Sequence, residues 1–95
     1  MVVAHETFSM YYVYILQSLK NGKMYTGFSR NLRARLKAHK NKGVHTTKRM
    51  GQVELIFYEA FKKEADAKRR EKYLKTTKGK RTLKLILKES LAAFV

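Results

Sequence analysis

The chain has 95 residues, of which 44% are hydrophobic and 12% aromatic, so it can fold as one domain around one modest core. Lysine and arginine number 22 against 7 acidic residues, a net charge of +15, which favours a polyanionic partner such as DNA, with RNA as the alternative. The absence of cysteine excludes disulfides and thiolate metal sites and suits the reducing cytoplasm. No apolar run is long enough to span a membrane, and the first residues lack the features of a signal peptide.

The first predicted elements are two strands joined by a turn. Aromatic and β-branched residues predict a strand over residues 11–17, and residues 24–28 return as a second strand. Asn21 and Gly22 are a strong turn signal between them, in a loop that is longer than two residues. The pattern therefore predicts an antiparallel hairpin.

Three tyrosines lie on this hairpin. Side chains alternate along a strand, so Tyr12 and Tyr14 share one face of the first strand, and Tyr25 shares a face of the second with Gly27. Tyrosine is a favoured strand residue, and one interpretation is that these side chains only pack in the sheet. The other is that the hairpin places phenols in a functional site.

A helix is predicted next, over residues 30–41, with Ser29 as its N-cap. On a helical wheel, Arg35 and His39 share an arc of about 100° with the two leucines of the segment, facing inward. Both residues can be spacers at the edge of the core. Alternatively, the arginine contacts a phosphate beside a histidine that exchanges a proton near neutral pH.

The second half of the chain completes an α+β pattern. A polar loop over residues 41–51 precedes a strand over 53–61 and a helix over 63–75. The segment TKGK at 77–80 is predicted to break that helix before a third helix over 81–94. The predicted fold is a single α+β domain with a three-stranded antiparallel sheet flanked by helices, in the order β-β-α-β-α-α.

One carboxylate in the second helix is unusual for its surroundings. Glu71 lies at the edge of the inward stripe, within the strongly basic segment KRREKYLK. It can form an ion pair with Lys75 one turn later, worth a few tenths of a kcal/mol. It can also hold a divalent cation at the edge of a positive surface.

Basic residues recur beside aromatic ones, as a nucleic-acid surface requires, although they can also form a solvated exterior. The predicted nucleic-acid-binding residues are Arg33, His45, Lys48, Arg49, Lys68 and Arg69.

Together these residues resemble the GIY-YIG nuclease family. The two signature segments correspond to residues 12–14 (YVY) and 25–27 (YTG). Arg35 and His39 fall in a segment similar to the helix that carries the family's catalytic arginine, and Glu71 matches the family's metal-binding glutamate. The resemblance is closest to the small, single-domain bacterial branch related to the N-terminal incision domain of the excinuclease C subunit.

The resemblance runs from residue 10 to residue 87, so residues 1–9 are expected to be an N-terminal extension and residues 10–95 the nuclease domain. Tyr12 stands where the signature has glycine, and Thr26 where it has isoleucine. His45 resembles a histidine found in some homing-endonuclease members.

The resemblance implies a metal-dependent endonuclease with one Mg²⁺ or Mn²⁺ ion, held by Glu71. Arg35 would donate hydrogen bonds to the scissile phosphate, and Tyr14 or Tyr25 would orient the attacking water. His39 would relay a proton or hold a tyrosine hydroxyl. The expected substrate is DNA during repair or processing, with no small-molecule cofactor and no membrane partner.

Two hypotheses of other classes stand beside this one. The domain can be a non-catalytic nucleic-acid-binding module, whose charge supplies salt-sensitive affinity. It can also be a basic protein of a membrane surface or a ribosome, which would use the last predicted helix. A carboxylate beside an anion site distinguishes the nuclease hypothesis, because a binding module does not need one.

Overall fold

The structure is a computed structural model, and it describes residues 9–41 and 50–91. The secondary-structure elements within these residues are β1 (Tyr11–Ser18), β2 (Met24–Ser29), α1 (Leu32–Lys40), β3 (Val53–Phe61), α2 (Glu64–Leu74) and α3 (Thr77–Ile86). Their order confirms the predicted α+β fold. Most of the predicted N-terminal extension, residues 1–8, and part of the predicted loop, residues 42–49, lie outside the described residues.

The sheet has β1 at its centre, in the order β2-β1-β3, and both pairings are antiparallel. The predicted hairpin is confirmed, with a loop longer than two residues. Gly22 in that loop has φ 77°, a left-handed conformation that glycine adopts without a steric penalty. Its N–H donates to the Ser18 carbonyl at 2.9 Å, which closes the loop and sets the register of β1 against β2.

The hydrophobic core lies on one face of the sheet. Val13 and Ile15 project from β1, and both are fully buried. They pack against Ala67 and Leu74 of α2, Leu83 of α3 and Leu87, the C-cap residue of α3. Because side chains alternate along β1, Tyr14 projects to the opposite face.

The start of α1 differs from the prediction. The N-cap is Asn31, whose Oδ1 accepts a hydrogen bond from the Ala34 N–H at 3.1 Å, and Ser29 is the last residue of β2. Ser29 Oγ accepts from the Asn31 N–H at 2.9 Å, so it shapes the turn before the helix. The prediction of Ser29 as N-cap is therefore wrong by two residues, because strand pairing extends through that position.

The junction between α2 and α3 also differs. The predicted break between the two helices is present, but it lies at residues 75–76, and residues 77–80 form the first turn of α3. Thr76 caps the helix by accepting a hydrogen bond from the Gly79 N–H at 3.0 Å. A Cβ atom at Gly79 would overlap the carbonyl oxygen of Tyr73, so glycine lets α3 begin directly behind the end of α2.

The third helix is shorter than predicted. It ends at Ile86, whereas the apolar spacing predicted a helix to residue 94. Ile86 is 48% exposed, whereas Leu83 and Leu87 face the core. Residues 92–95 lie outside the described residues. Within the described part of the chain, no helix is long and apolar enough to cross a membrane.

Candidate active site

A buried hydrogen bond between Tyr14 and His39 lies at the centre of the candidate site. The Tyr14 hydroxyl and His39 Nε2 are 2.7 Å apart. Tyr14 lies in the middle of β1 and has no exposed surface, and His39, in the last turn of α1, is 2% exposed. Helix α1 therefore joins the sheet through a polar contact on the face opposite the hydrophobic core.

Gly27 of β2 makes room for the Tyr14 ring. The two residues are paired across β1 and β2, and a Cβ atom at Gly27 would overlap the ring and the hydroxyl of Tyr14. The sequence placed Gly27 on the face of Tyr25, but it did not show which β1 residue lies over it.

We expect Gly27→Ala to lower the free energy of unfolding by about 1–3 kcal/mol, the usual cost of overpacking. The added methyl group must displace the Tyr14 ring or separate the two strands. Urea unfolding measures the effect, and Thr26→Ala, at the neighbouring position, is the matched control. Equal stability of Gly27→Ala and the wild type would contradict the close approach of the Tyr14 ring to Gly27.

Tyr25 and Arg35 complete a group that we call the tyrosine cluster, defined as Tyr14, Tyr25, Arg35 and His39. The Tyr25 ring centroid lies 6.4 Å from that of Tyr14 and 5.3 Å from that of His39, both in edge-on contacts. Arg35 Nε donates a long hydrogen bond of 3.4 Å to the Tyr14 hydroxyl. Tyr14 is buried, whereas Tyr25 is partly exposed and Arg35 is exposed, so the cluster reaches the surface through these two residues.

The pKa shifts in the cluster indicate where its protons lie. Burial raises the pKa of Tyr14, so its hydroxyl stays protonated at neutral pH. Burial, and then the charge of Arg35, lower the pKa of His39, so its ring is neutral. Since Arg35 can only donate, the arrangement that satisfies all three groups has Tyr14 accepting from Arg35 and donating to His39 Nε2.

Folding should become less favourable as the pH falls below about 6.5, the ordinary pKa of histidine, towards the lowered pKa of folded His39. In that interval the unfolded chain binds the proton more readily than the folded one, so acid favours unfolding. Urea unfolding at several pH values, for the wild type and for His39→Gln, separates this contribution from that of the carboxylates. An identical pH dependence in both proteins would contradict it.

Glu71 approaches the cluster from α2. Its negative charge is one of the causes that raise the pKa of Tyr14, although burial is the larger cause. The Glu71 side chain is 17% exposed and accepts from Lys75 Nζ at 3.2 Å. The predicted ion pair is therefore present, and the carboxylate is also within electrostatic reach of Tyr14.

The donor set near Glu71 fits one kind of metal ion. Among the described residues, no group of three or more histidine, cysteine, aspartate or glutamate side chains is arranged to hold a metal. A lone carboxylate suits Mg²⁺, which keeps several waters and takes its remaining ligands from substrate phosphate. Glu71 would share or exchange its contact with Lys75 to do so, and Lys75 is exposed enough to move away.

The predicted nucleic-acid-binding residues divide into two groups. Arg33 is exposed on α1, and Lys68 and Arg69 are exposed on α2. Lys68 Nζ lies 4.0 Å from the centroid of the Phe28 ring, and Arg69 forms an ion pair with Asp66. The remaining three, His45, Lys48 and Arg49, lie outside the described residues.

The structure also contains a groove that the sequence did not predict. It has a volume of about 400 Å³ and is lined by Tyr12, Tyr58, Arg30, Arg33 and neighbouring residues of α1. Tyr58 is directly opposite Tyr14 in the pairing of β1 and β3. This pairing places the groove beside the tyrosine cluster. The groove could not be predicted because sequence patterns do not show which residues of β1 and β3 lie opposite each other.

The fold and the cluster together define a class of protein: a small α+β domain that holds phenol, guanidinium and imidazole groups at a three-stranded sheet with a basic exterior. The family model described as GIY-YIG catalytic domain matches residues 10–84, and the chain belongs to that family. The predicted family resemblance is confirmed.

The relatives of the chain are small bacterial proteins. It is 40% identical over 83 residues to a UPF0213 protein of Clostridium perfringens, which covers 86% of this chain and 88% of that protein. It is 38% identical over 77 residues to a UPF0213 protein of Staphylococcus haemolyticus, covering 80% of this chain and 93% of that one. No solved structure matches the chain significantly.

Proposed function

We propose that this protein is a divalent-metal-dependent endonuclease that hydrolyses phosphodiester bonds in DNA. Membership of the GIY-YIG family supports an endonuclease-like activity. The observation that carries the proposal is the position of Arg35, whose guanidinium lies against the Tyr14 hydroxyl, in the same cluster as Tyr25.

Arg35 is suited to contact a phosphate because it has no acidic partner among the described residues. The ion pairs in that part of the chain join Arg30 to Glu64, Arg69 to Asp66, Arg70 to Glu59 and Lys75 to Glu71. The exposed guanidinium of Arg35 therefore keeps donors for a ligand. Two parallel hydrogen bonds from it would stabilise charge on the phosphate as the transition state forms.

Tyr14 and Tyr25 differ in their exposure to solvent, and we therefore propose different roles for them. A residue that orients the attacking water must reach it, and Tyr25 is partly exposed while Tyr14 has no exposed surface. We assign Tyr25 to the water, and Tyr14 and His39 to holding Arg35 and the cluster in position.

Glu71 would hold the metal ion of this reaction. When bound, Mg²⁺ or Mn²⁺ supplies electrostatic stabilisation of the developing charge on the phosphate and the leaving oxygen. Glu71 contributes one carboxylate at the edge of the cluster, on a chain whose net charge of +15 favours binding of the DNA backbone.

The basic exterior would bind the DNA backbone without strong sequence preference. Arg33, Lys68 and Arg69 are exposed, and we propose the same role for His45, Lys48 and Arg49, which lie outside the described residues. Affinity should fall steeply between about 50 and 200 mM salt, because phosphate contacts release counterions. Structure-specific cleavage in DNA repair or processing, in the cytoplasm, is part of this proposal.

Incubation with labelled flap, bubble, nicked, single-stranded and duplex DNA, with and without Mg²⁺ or Mn²⁺, tests the proposal. We expect metal-dependent cleavage of at least one substrate, and no cleavage in EDTA. Binding without cleavage of any substrate, with both metals present, would instead favour the non-catalytic binding module. RNA versions of the same substrates distinguish the two nucleic acids.

A further inference from the structure

The groove beside the tyrosine cluster combines aromatic and cationic groups. Its two tyrosines, Tyr12 and Tyr58, have ring centroids 6.1 Å apart at an interplanar angle of 59°. Tyr58 is 52% exposed, which is a large aromatic surface to leave in water on a small domain. Neither tyrosine hydroxyl forms a hydrogen bond within the described residues, so hydrogen bonding does not explain why tyrosine stands at these two positions.

The charge of the groove identifies the kind of ligand. Arg30 and Arg33 line it together with the tyrosines. Arg30 is paired with Glu64, but Arg33 is exposed and forms none of the ion pairs found among the described residues. An aromatic face next to a guanidinium suits a nucleotide, because the base stacks on the ring while the phosphate meets the cation.

The position of the groove connects it to the proposed chemistry. Tyr12 precedes Tyr14 by two residues on the same face of β1, a separation of roughly 7 Å along a strand. Tyr58 is the β3 partner of Tyr14. Arg33 and Arg35 belong to the same helix but point to different sides of it, so the two tyrosines are what link the groove to the cluster. A nucleotide in the groove would therefore neighbour the phosphate held at Arg35.

We infer that Tyr12 and Tyr58 form a subsite for one unpaired DNA base next to the scissile phosphate. The choice of DNA rests on the proposed function. Bases in a duplex are stacked on their neighbours and cannot lie against these rings, so the subsite selects single-stranded or locally opened DNA. Tyr12, which stands where the family signature has glycine, thus has a role in substrate recognition.

Binding of a short single-stranded DNA that carries one 2-aminopurine tests the subsite, in EDTA so that nothing is cleaved. The chain has no tryptophan, so the fluorescence of the probe is easily separated from that of the protein. We expect the wild type to quench the probe. Tyr58→Ala should weaken single-strand binding by about 5- to 150-fold, the usual effect of losing one base–aromatic stack.

Matched variants separate stacking from other effects. Tyr58→Phe and Tyr12→Phe keep the rings and should bind like the wild type, while Tyr12→Leu should behave like Tyr58→Ala. Affinity for a duplex of the same sequence should change by less than about twofold, because its phosphate contacts remain. Circular dichroism confirms that each variant is folded.

Two results would overturn the inference: unchanged single-strand affinity in folded Tyr58→Ala, or an equal loss for single-stranded and duplex DNA. Failure of the proposed function has a different signature, since it appears as absent cleavage by the wild type in Mg²⁺. The binding measurement contains no metal and does not depend on that outcome.

Discussion

Replacing Glu71 by glutamine should lower the rate of DNA cleavage by at least about 10²–10³, while DNA affinity without metal stays the same or rises slightly. Loss of one preorganised electrostatic contact usually has an effect of this size, and Glu71 is the proposed carboxylate ligand of the metal. Affinity should not fall, because the substitution removes a negative charge from a chain of net charge +15. Single-turnover cleavage and binding in EDTA measure the two effects separately.

Lys75→Ala is the control that separates the two hypotheses for Glu71. If Glu71 only forms an ion pair with Lys75, removing either partner should have the same small effect on stability and none on cleavage. If Glu71 holds the metal, Lys75→Ala should leave cleavage largely intact. Glu54→Gln, at an exposed carboxylate on β3, controls for the change of charge. Equal cleavage by Glu71→Gln and Glu54→Gln would exclude the metal role.

Arg35→Lys should also reduce cleavage by about 10²–10³, although the charge is retained. Lysine cannot form two parallel hydrogen bonds to a phosphate, and it lacks the Nε–H that reaches the Tyr14 hydroxyl in this structure. DNA affinity should fall only modestly, because one phosphate contact among many is altered. The measurement is again single-turnover cleavage, compared with binding of the uncleaved DNA.

Arg81→Lys, at an exposed arginine on α3, is the matched control for Arg35→Lys. Arg81 has no role in the proposed site, so this substitution should change the cleavage rate by only a few fold. Similar losses in the two variants would show that Arg35 acts only as part of the basic surface. The proposal would then lose the observation that carries it.

The local elements of the fold could be predicted because each is specified by a short pattern. Asn21 and Gly22 predict the turn of the hairpin, and Gly22 has the positive φ that such a turn requires. The spacing of residues on α1 predicts that His39 faces inward, and it is buried. The turn and the inward position of His39 depend only on local backbone preferences and on the spacing of residues three or four apart, and both can be read from the sequence.

The ends of the helices could not be predicted in the same way. Ser29 and Asn31 are both good N-cap residues, and the choice between them was made by the length of the β1–β2 pairing. Gly79 is a common helix breaker by propensity, but it lies inside α3 because no larger residue fits against Tyr73. In both cases a contact with a distant or neighbouring element overrides the local preference.

The sequence by itself determined the order of elements, the family, the positive charge and the set of residues from which a site could be built. Only the tertiary structure decided which of them meet. The pairing of β1 with β2 puts Tyr14 over Gly27, and its pairing with β3 puts Tyr58 opposite Tyr14. Packing of α1 then buries Tyr14 against His39 and leaves Tyr25 as the accessible phenol of the tyrosine cluster. Strand register and burial result from long-range packing, which determines how the side chains of separate elements are brought together.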